Sequence, residues 1–408
     1  MPKVLSARCC IVGGGPAGMV LGYLLGRAGV DTLVLEKHAD FLRDFRGDTV
    51  HPSTLRILAQ LGLLDDFLKM HHSELRSLAV EIGKQRFKVA DFGRLAPPGN
   101  FIVLMPQWDF LDFLMQNGRR YPSLKVLMQH EVGGLIEEQE SVRGVRGTSP
   151  DGDFEVRADL VVACDGRRST VRAASGLTVQ DLGAPIDVLW FRMSKKPTDP
   201  GEVLGHLEPG KMMVTIDRDE YWQCAYVIPK GGFPAIEAAG IEAFRAEVVQ
   251  GAAFFADRAQ ELKSFDNLKL LSVSLDRLNS WAKPGLLLIG DAAHAMSPVG
   301  GVGINLAVQD AVAGANLLTG ILKTRAPTLG ELAAVERRRM MPVKAIQALQ
   351  AQIHARVLSP LIHGAPRELK VPFAVKLLNA SSWLRRWPAQ LLGVGLRPEH
   401  VRSPRHEP

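Results

Sequence analysis

Three short runs in this 408-residue chain carry residue types suited to gripping a dinucleotide: Gly13-Gly14-Gly15-Pro16-Ala17-Gly18, Cys164-Asp165-Gly166 and Gly290-Asp291-Ala292-Ala293-His294. The first follows the apolar run Cys9 to Val12, which reads as a buried parallel strand, and opens a helical pattern that ends at Ala28-Gly29. Glycine at 13, 15 and 18 permits a sharp turn, close approach of backbone to a pyrophosphate, and tight packing of helix on strand. Pro16 suits the first helical position, where no donor is missed. The helix start then aims free N–H groups and the positive end of its dipole at an anion. A second apolar strand, Thr32 to Leu35, ends in Glu36, about twenty residues after the turn, where a carboxylate accepts both hydroxyls of an adenosine ribose. The same charge argues against a 2′-phosphate in this pocket. The chain holds 39 glycines, so a glycine cluster alone says little. Its place between strand and helix, with Glu36 beyond, is what points to a nucleotide.

The elements that must position these runs follow from the alternation of patterns. Leu160 to Ala163 reads as a buried strand ending at Asp165, and Leu286 to Ile289 as another ending at Gly290-Asp291. A long helix is expected from Gly303 to Leu322. Open parallel sheets bind ligands at the carboxyl ends of their strands, so all three runs are expected at one crevice. Strand-like alternation marks Leu78 to Phe92, and short strands separated by Gly133-Gly134, Gly144 and Asp151-Gly152 fill Leu124 to Val162. From Val188 to Leu275 longer strands, with turns at Pro209-Gly210 and Lys230-Gly231-Gly232, suggest an inserted antiparallel sheet carrying one helix near Ile241 to Gln250. The expected division is a discontinuous nucleotide domain (1–71, 98–178 and 276–330), a substrate-binding sheet domain (72–97 and 179–275) and a helical region (331–408).

Composition frames the rest. A hydrophobic fraction of 46% and a charged fraction of 23% describe an ordinary globular protein, and a net charge of +6 with dispersed Lys and Arg does not imply nucleic-acid binding. Cys9, Cys10, Cys164 and Cys224 lack metal-type spacing, since neighbours on a strand point to opposite faces. No metal is expected, and the cysteines read as apolar fillers in a reducing compartment. No signal peptide or membrane span is legible, so cytoplasmic residence is the expectation. The run from Val371 to Arg397 interleaves Phe373, Val375, Leu377, Leu378, Trp383 and Leu384 with Lys376, Arg385 and Arg386. It suits either a domain or dimer interface or weak contact with a membrane surface. Monomer and homodimer both stay open.

Over roughly its first 330 residues the chain resembles the class A FAD-dependent monooxygenases of the para-hydroxybenzoate hydroxylase type. The resemblance rests on the ordered runs, their wide spacing, the inserted sheet, and Pro298 with Gly300-Gly301-Val302-Gly303-Ile304-Asn305. It implies an α/β fold, a Rossmann-like FAD-binding domain with an inserted antiparallel-sheet substrate domain and a C-terminal helical region. It further implies FAD as cofactor, NADPH or NADH as co-substrate, dioxygen, and a small aromatic or quinone-like substrate hydroxylated by a flavin C4a-hydroperoxide.

Residue by residue, the resemblance implies FAD contacts from Gly13, Gly15, Pro16, Ala17, Gly18, Glu36, Lys37 and Val132. Asp165 and Gly166 fall over the pyrophosphate, Asp291 on the ribityl hydroxyls, and Gly301, Gly303, Ile304 and Asn305 under the isoalloxazine ring, with Pro298 leading in and counted, with His51, among the catalytic candidates. Arg46 matches an arginine near the pyrophosphate and the nicotinamide nucleotide, and Gln107 a polar residue near the ribityl phosphate; a surface salt bridge and a helix cap are the plainer readings of these two. His51 is a candidate for proton handling, because histidine titrates near working pH. For His294 a structural hydrogen bond to backbone is expected. The inserted sheet offers Trp190, Met213, Tyr221, Trp222, Gln223 and Tyr226 as substrate wall, of which half must point away if the strands alternate. An FAD-dependent reductase or dehydrogenase without oxygen insertion is the alternative; a halogenase lacks its tryptophan-rich signature here, and a flavin-binding regulator is the non-enzymatic reading.

Overall fold

The computed structural model describes residues 2–42, 49–83, 85–200, 205–363, 369 and 371–406. Strand β1 (Lys3–Val12) leads through the glycine turn into α1 (Pro16–Arg27) and β2 (Thr32–Leu35). Then come α2 (Pro52–Gln60), β3 (Ser77–Ile82), β4 (Gln85–Asp91), α3 (Gln107–Gly118) and β5 (Leu124–Leu127). A meander of β6 (Glu131–Glu138), β7 (Ser141–Ser149) and β8 (Gly152–Ala163) runs up to the second motif, followed by α4 (Thr170–Ser175). Next are β9 (Ile186–Ser194), β10 (Gly205–Glu208), β11 (Lys211–Asp217), β12 (Tyr221–Pro229), α5 (Ile241–Gly251) and β13 (Lys269–Leu271). The chain returns with β14 (Leu286–Leu288), α6 (Gly303–Leu322) and α7 (Leu329–Ile353), and closes with α8 (Phe373–Ala380) and shorter turns.

Two sheets position the site. In the first, β14, β8, β1, β2 and β5 pair side by side in parallel, and β7 and β6 continue antiparallel from β8. Helix α1 lies on this sheet through Gly18, Gly22 and Gly26; a Cβ at Gly22 would stand 2.7 Å from Val34 Cγ2 and one at Gly26 2.6 Å from Leu124 Cβ. Four-residue spacing puts these glycines on one helix face, which lets the helix axis sit close and points its N-terminus at the carboxyl ends of the strands.

The second sheet has the order β13-β9-β12-β11-β10-β3-β4, so the early hairpin of β3 and β4 joins strands more than a hundred residues later, through parallel pairing of β10 with β3. Its side chains alternate. Leu189, Phe191, Met193, Met213, Trp222, Cys224 and Tyr226 pack against Phe244 and Val248 of α5. The opposite face presents Val188, Trp190, Val214, Ala225 and Val227 towards Val299.

Several expectations are corrected here. Gly133-Gly134 lies inside β6 and Gly144 inside β7, not between strands. A Cβ at Gly144 would meet the Val156 carbonyl at 2.0 Å, so that glycine serves close approach of paired strands at a register shift and makes no turn. The C-terminal region is predominantly helical, as expected, up to Val394; only its end departs, since Gly395 to His406 carries no helix and returns to the nucleotide domain, where His406 N donates to Arg27 O at 2.9 Å and Val401 N to Gln60 Oε1 at 2.8 Å. Among the described residues no helix is long and apolar enough to cross a membrane.

Candidate active site

The three motifs meet at the strand ends. A Cβ on Gly13, whose φ is +103°, would sit 2.5 Å from the Cys164 carbonyl oxygen, and one on Gly290 would sit 3.2 Å from Ala17 Cβ. Asp165 Oδ1 accepts from Ser169 Oγ at 2.5 Å and Oδ2 from Val171 N at 3.2 Å, so the carboxylate braces the start of α4. Burial raises its pKa, and those hydrogen bonds pull in the opposite direction. Arg167 Nη2 bonds Asp291 Oδ2 at 3.3 Å, tying the second motif to the third.

Glu36 is buried and reaches back to the glycine turn, with Oε2 accepting from Gly14 N at 3.0 Å and Oε1 from His38 N at 3.1 Å and His38 Nδ1 at 2.6 Å. His38 was not among the expected site residues; its only sequence signal is its place two positions after the strand-ending acid. Lys37 is exposed. Val132 is buried in the core, so its side chain is not offered to a ligand.

The third motif stands on a buried ionic cluster. His294 Nε2 donates to Asp310 Oδ2 at 2.6 Å, Arg339 Nε donates to Oδ1 at 2.9 Å, and Gly290 N donates to Oδ2 at 3.2 Å. Glu399 lies 3.6 Å from Arg339 and pairs with Arg338 at 2.6 Å. Burial alone would raise the pKa of Asp310; the charges and donors of His294 and Arg339 outweigh it and hold the carboxyl below its ordinary value. His294 is therefore structural, with a carboxylate rather than a backbone carbonyl as partner. Asp310, Arg339 and Glu399 escaped the sequence reading because no motif links positions so far apart.

Gly300 and Gly301 both have positive φ, at 82° and 63°, and turn the chain from Pro298 into α6. Val302 at the cap position offers no capping side chain, and among the described residues no hydrogen bond takes up the first backbone donors of that helix, at Gly303, Ile304 and Asn305. The Asn305 side chain is engaged elsewhere, accepting from Ser53 Oγ and from Thr54 Oγ1 at 3.4 Å. Thr49 Oγ1 donates to the Gly301 carbonyl at 3.1 Å.

His51 Nδ1 lies 2.9 Å from the Leu392 carbonyl. A carbonyl only accepts, so the proton sits on Nδ1 and Nε2 carries the lone pair. Nε2 is buried without a hydrogen bond of acceptable geometry among the described residues, and is 3.6 Å from where a Gly301 Cβ would be. Burial pushes the pKa of His51 down to about 4, partly opposed by the Leu392 and Gly301 backbone. His206, also buried, falls to about 4 by the same cause. A depressed histidine pKa means that the unfolded chain binds more protons: the associated stability is complete above pH 6.5 and is lost as pH falls towards 4, about 3 kcal/mol from His51 alone. Urea unfolding between pH 7 and pH 4.5 checks this, and His51→Asn should flatten the slope.

Other expected residues divide. Gln107 is the first residue of α3, one position after Pro106, which occupies the cap position and has no capping side chain. Trp190 faces the Val299 turn, and its Nε1 is buried without a partner among the described residues. Gln223 shares that face and accepts from Arg218 Nε at 3.1 Å. Tyr221 lies two positions further along, with the Arg192 guanidinium 4.6 Å from its ring centroid. Met213 is a correction: strand alternation turns it to the opposite face, into the core with α5. Trp222 and Tyr226 lie in that core as well. Arg46 lies outside the described residues.

The residues present fit a flavin dinucleotide. A Cβ on Gly15 would meet only the Cys164 carbonyl, at 4.0 Å, and one on Gly166 or Gly303 would meet nothing within 4 Å. Arg167 Nη1 is buried with no partner among the described residues. Unobstructed glycines, free helix donors and an unpaired guanidinium nitrogen are what a pyrophosphate requires.

Such a fold and site define an FAD-dependent oxidoreductase. Residues 6–348 match the FAD binding domain family, and the chain belongs to it, within the class A FAD-dependent monooxygenase superfamily. It is 34% identical over 333 residues to 6-methylpretetramide 4-monooxygenase of Streptomyces rimosus, covering 81% of this chain and 79% of that protein. It is 25% identical over 327 residues to para-nitrophenol 4-monooxygenase of Pseudomonas sp. strain WBC-3, covering 78% and 79%. The crystal structure of p-nitrophenol 4-monooxygenase from Pseudomonas putida DLL-E4 superposes with a TM-score of 0.75 at 21% identity, over 96% of this chain and 97% of that one, a likeness of fold.

Proposed function

We propose that the protein is a single-component monooxygenase that uses FAD and NADH or NADPH to hydroxylate a small aromatic or quinone-like molecule with dioxygen. The observation that carries this reading is the apolar wall of Trp190, Val214 and Ile216, which packs with Leu392 of the C-terminal segment and with Val299 on the turn leading into α6. A flat, apolar ring fits such a wall. The names of the two similar proteins support the reading, both being monooxygenases.

Bound FAD would supply the redox chemistry, taking electrons from the nicotinamide nucleotide and activating dioxygen. Gly13 to Gly18, Gly166 and Arg167 would hold its pyrophosphate, Glu36 its ribose, Asp291 its ribityl chain, and the start of α6 its ring. The free donors of that helix put positive potential where charge gathers on reduction. His51 stays neutral at working pH and offers Nε2 as an acceptor beside Gly301. Trp190 Nε1 is a donor for a ring oxygen of the substrate, and Gln223 shares its face.

Trp190→Phe removes that donor while keeping an aromatic wall. Leaving the substrate oxygen unpaired should lower kcat/KM roughly tenfold or more for phenolic substrates, with little change for analogues lacking the oxygen. Equal losses for both would count against the contact. The reaction is tested by screening aromatic compounds for stimulated nicotinamide oxidation under oxygen-18 and weighing the product. One labelled atom in the product is expected; substrate-stimulated turnover with no label would establish the reductase or dehydrogenase reading instead.

A further inference from the structure

Beyond the family match, which ends at residue 348, the chain builds a surface of unusual character. Helix α8 runs along β4, the edge strand of the second sheet. One polar link fixes α8 there, Lys88 N to Asn379 Oδ1 at 2.9 Å, and two fix the turns that follow it, Asp91 N to the Arg385 carbonyl at 3.2 Å and Arg94 Nη2 to Ser382 Oγ at 3.0 Å. Edge coverage explains the inward side of this segment. It leaves the outward side unexplained, where Phe373 is 78% exposed, Leu377 46%, Trp383 60% and Trp387 64%. Trp383 and Trp387 stack edge to face, with centroids 6.3 Å apart. Large apolar side chains grouped in one short segment and held in water mark a docking surface.

The charge around them selects the occupant. Val371 to Pro398 contains no Asp or Glu. Lys376, Arg385 and Arg386 lie on the segment, and Arg86, Lys88 and Arg94 on the strand and turn packed beneath it. The one carboxylate on those elements, Asp91, is 3.4 Å from Arg94. A second copy joined by a two-fold axis would set this cationic face against itself, which opposes a dimer. Exposed tryptophan with lysine and arginine is instead the side-chain set of the interface between lipid headgroups and acyl chains.

We propose that this face docks the protein on an anionic lipid bilayer, with Phe373, Leu377, Trp383 and Trp387 in the headgroup boundary and the cations on lipid phosphates. The same segment continues into Gln390–Val394, where the Leu392 carbonyl meets His51 and a Cβ on Gly300 would lie 3.1 Å from Leu392 Cδ2. The docked face is thus continuous in chain with the wall of the candidate active site. Docking does not depend on the reaction proposed above; delivery of an apolar substrate from the lipid does.

The test uses FAD-loaded protein and vesicles of phosphatidylcholine with or without phosphatidylglycerol, read by co-sedimentation and by quenching of tryptophan emission with brominated acyl chains. Binding is expected only to the vesicles containing phosphatidylglycerol, with quenching, and should weaken as salt rises. Lys376→Glu with Arg386→Glu should reduce partitioning on the order of tenfold or more, and Phe373→Glu with Trp387→Glu should abolish quenching, while flavin content and thermal unfolding stay unchanged. Failure to bind at low salt, equal binding to neutral vesicles, or binding untouched by either double variant overturns the proposal. So does a dimer in sedimentation equilibrium that these variants dissociate.

Discussion

A Gly18→Ala variant is expected to emerge with little or no bound flavin and to bind supplied FAD on the order of a hundredfold more weakly than the parent protein. Its new Cβ would lie 2.0 Å from the Gly13 carbonyl oxygen, a backbone atom of the turn that the pyrophosphate must approach. Neither atom can swing aside without moving α1 off the sheet or opening the turn. Overpacking against backbone costs about 3 kcal/mol, which is on the order of a hundredfold in affinity if it falls on binding. The absorbance of bound flavin and titration of the apoprotein with FAD read the result. Gly320→Ala on α6 is the matched control, because its Cβ would meet nothing within 4 Å. There the methyl group should stabilise by about 0.5–1 kcal/mol through helix propensity. A Gly18→Ala protein that stays as yellow as the parent would show that the turn is not the pyrophosphate cradle.

The second large effect is expected from Asp310→Asn. Asp310 is wholly buried and holds three donors, from His294, Arg339 and Gly290. Neutralising it leaves the Arg339 guanidinium, itself 1% exposed, with only the more distant Glu399 for compensation. Removing one partner of a buried pair typically costs about 3–5 kcal/mol. The loss should appear in denaturant unfolding, with reduced flavin content because the Gly290 turn loses its anchor. Replacing the pair together, Asp310→Leu with Arg339→Met, should recover part of the stability but not the flavin content, since apolar groups can fill the space and cannot receive Gly290 N. A double variant with full flavin content would refute the positioning role of Asp310. By contrast, breaking the solvent-exposed Lys69–Asp66 pair should change nothing measurable.

Cooperation between these sites explains why a motif so short as Gly290 to His294 needs so much behind it. Asp291 can face a ligand only if the turn that carries it is fixed, and the fixing groups come from α6, α7 and the returning tail. The tail also supplies Leu392, which orders His51. Residues beyond the family match therefore support the candidate site.

What the sequence determined by itself was local. Strand, glycine turn and helix at Cys9 to Gly29 were legible because hard-sphere exclusion at Gly13 and Gly18 acts over a few residues, and α6 and α5 because apolar period and turn residues do the same. The convergence of the three motifs followed from parallel-sheet geometry. Tertiary structure alone decided which face of β11 carries Met213, why Gly144 is glycine, that the hairpin of β3 and β4 pairs with β10, and that Asp310, Arg339 and Glu399 share one buried charge cluster. Each of these depends on partners tens to hundreds of residues away, and nothing in local sterics or periodicity names a distant partner. The pairing is chosen only when the whole chain buries its apolar faces and satisfies every buried charge at once.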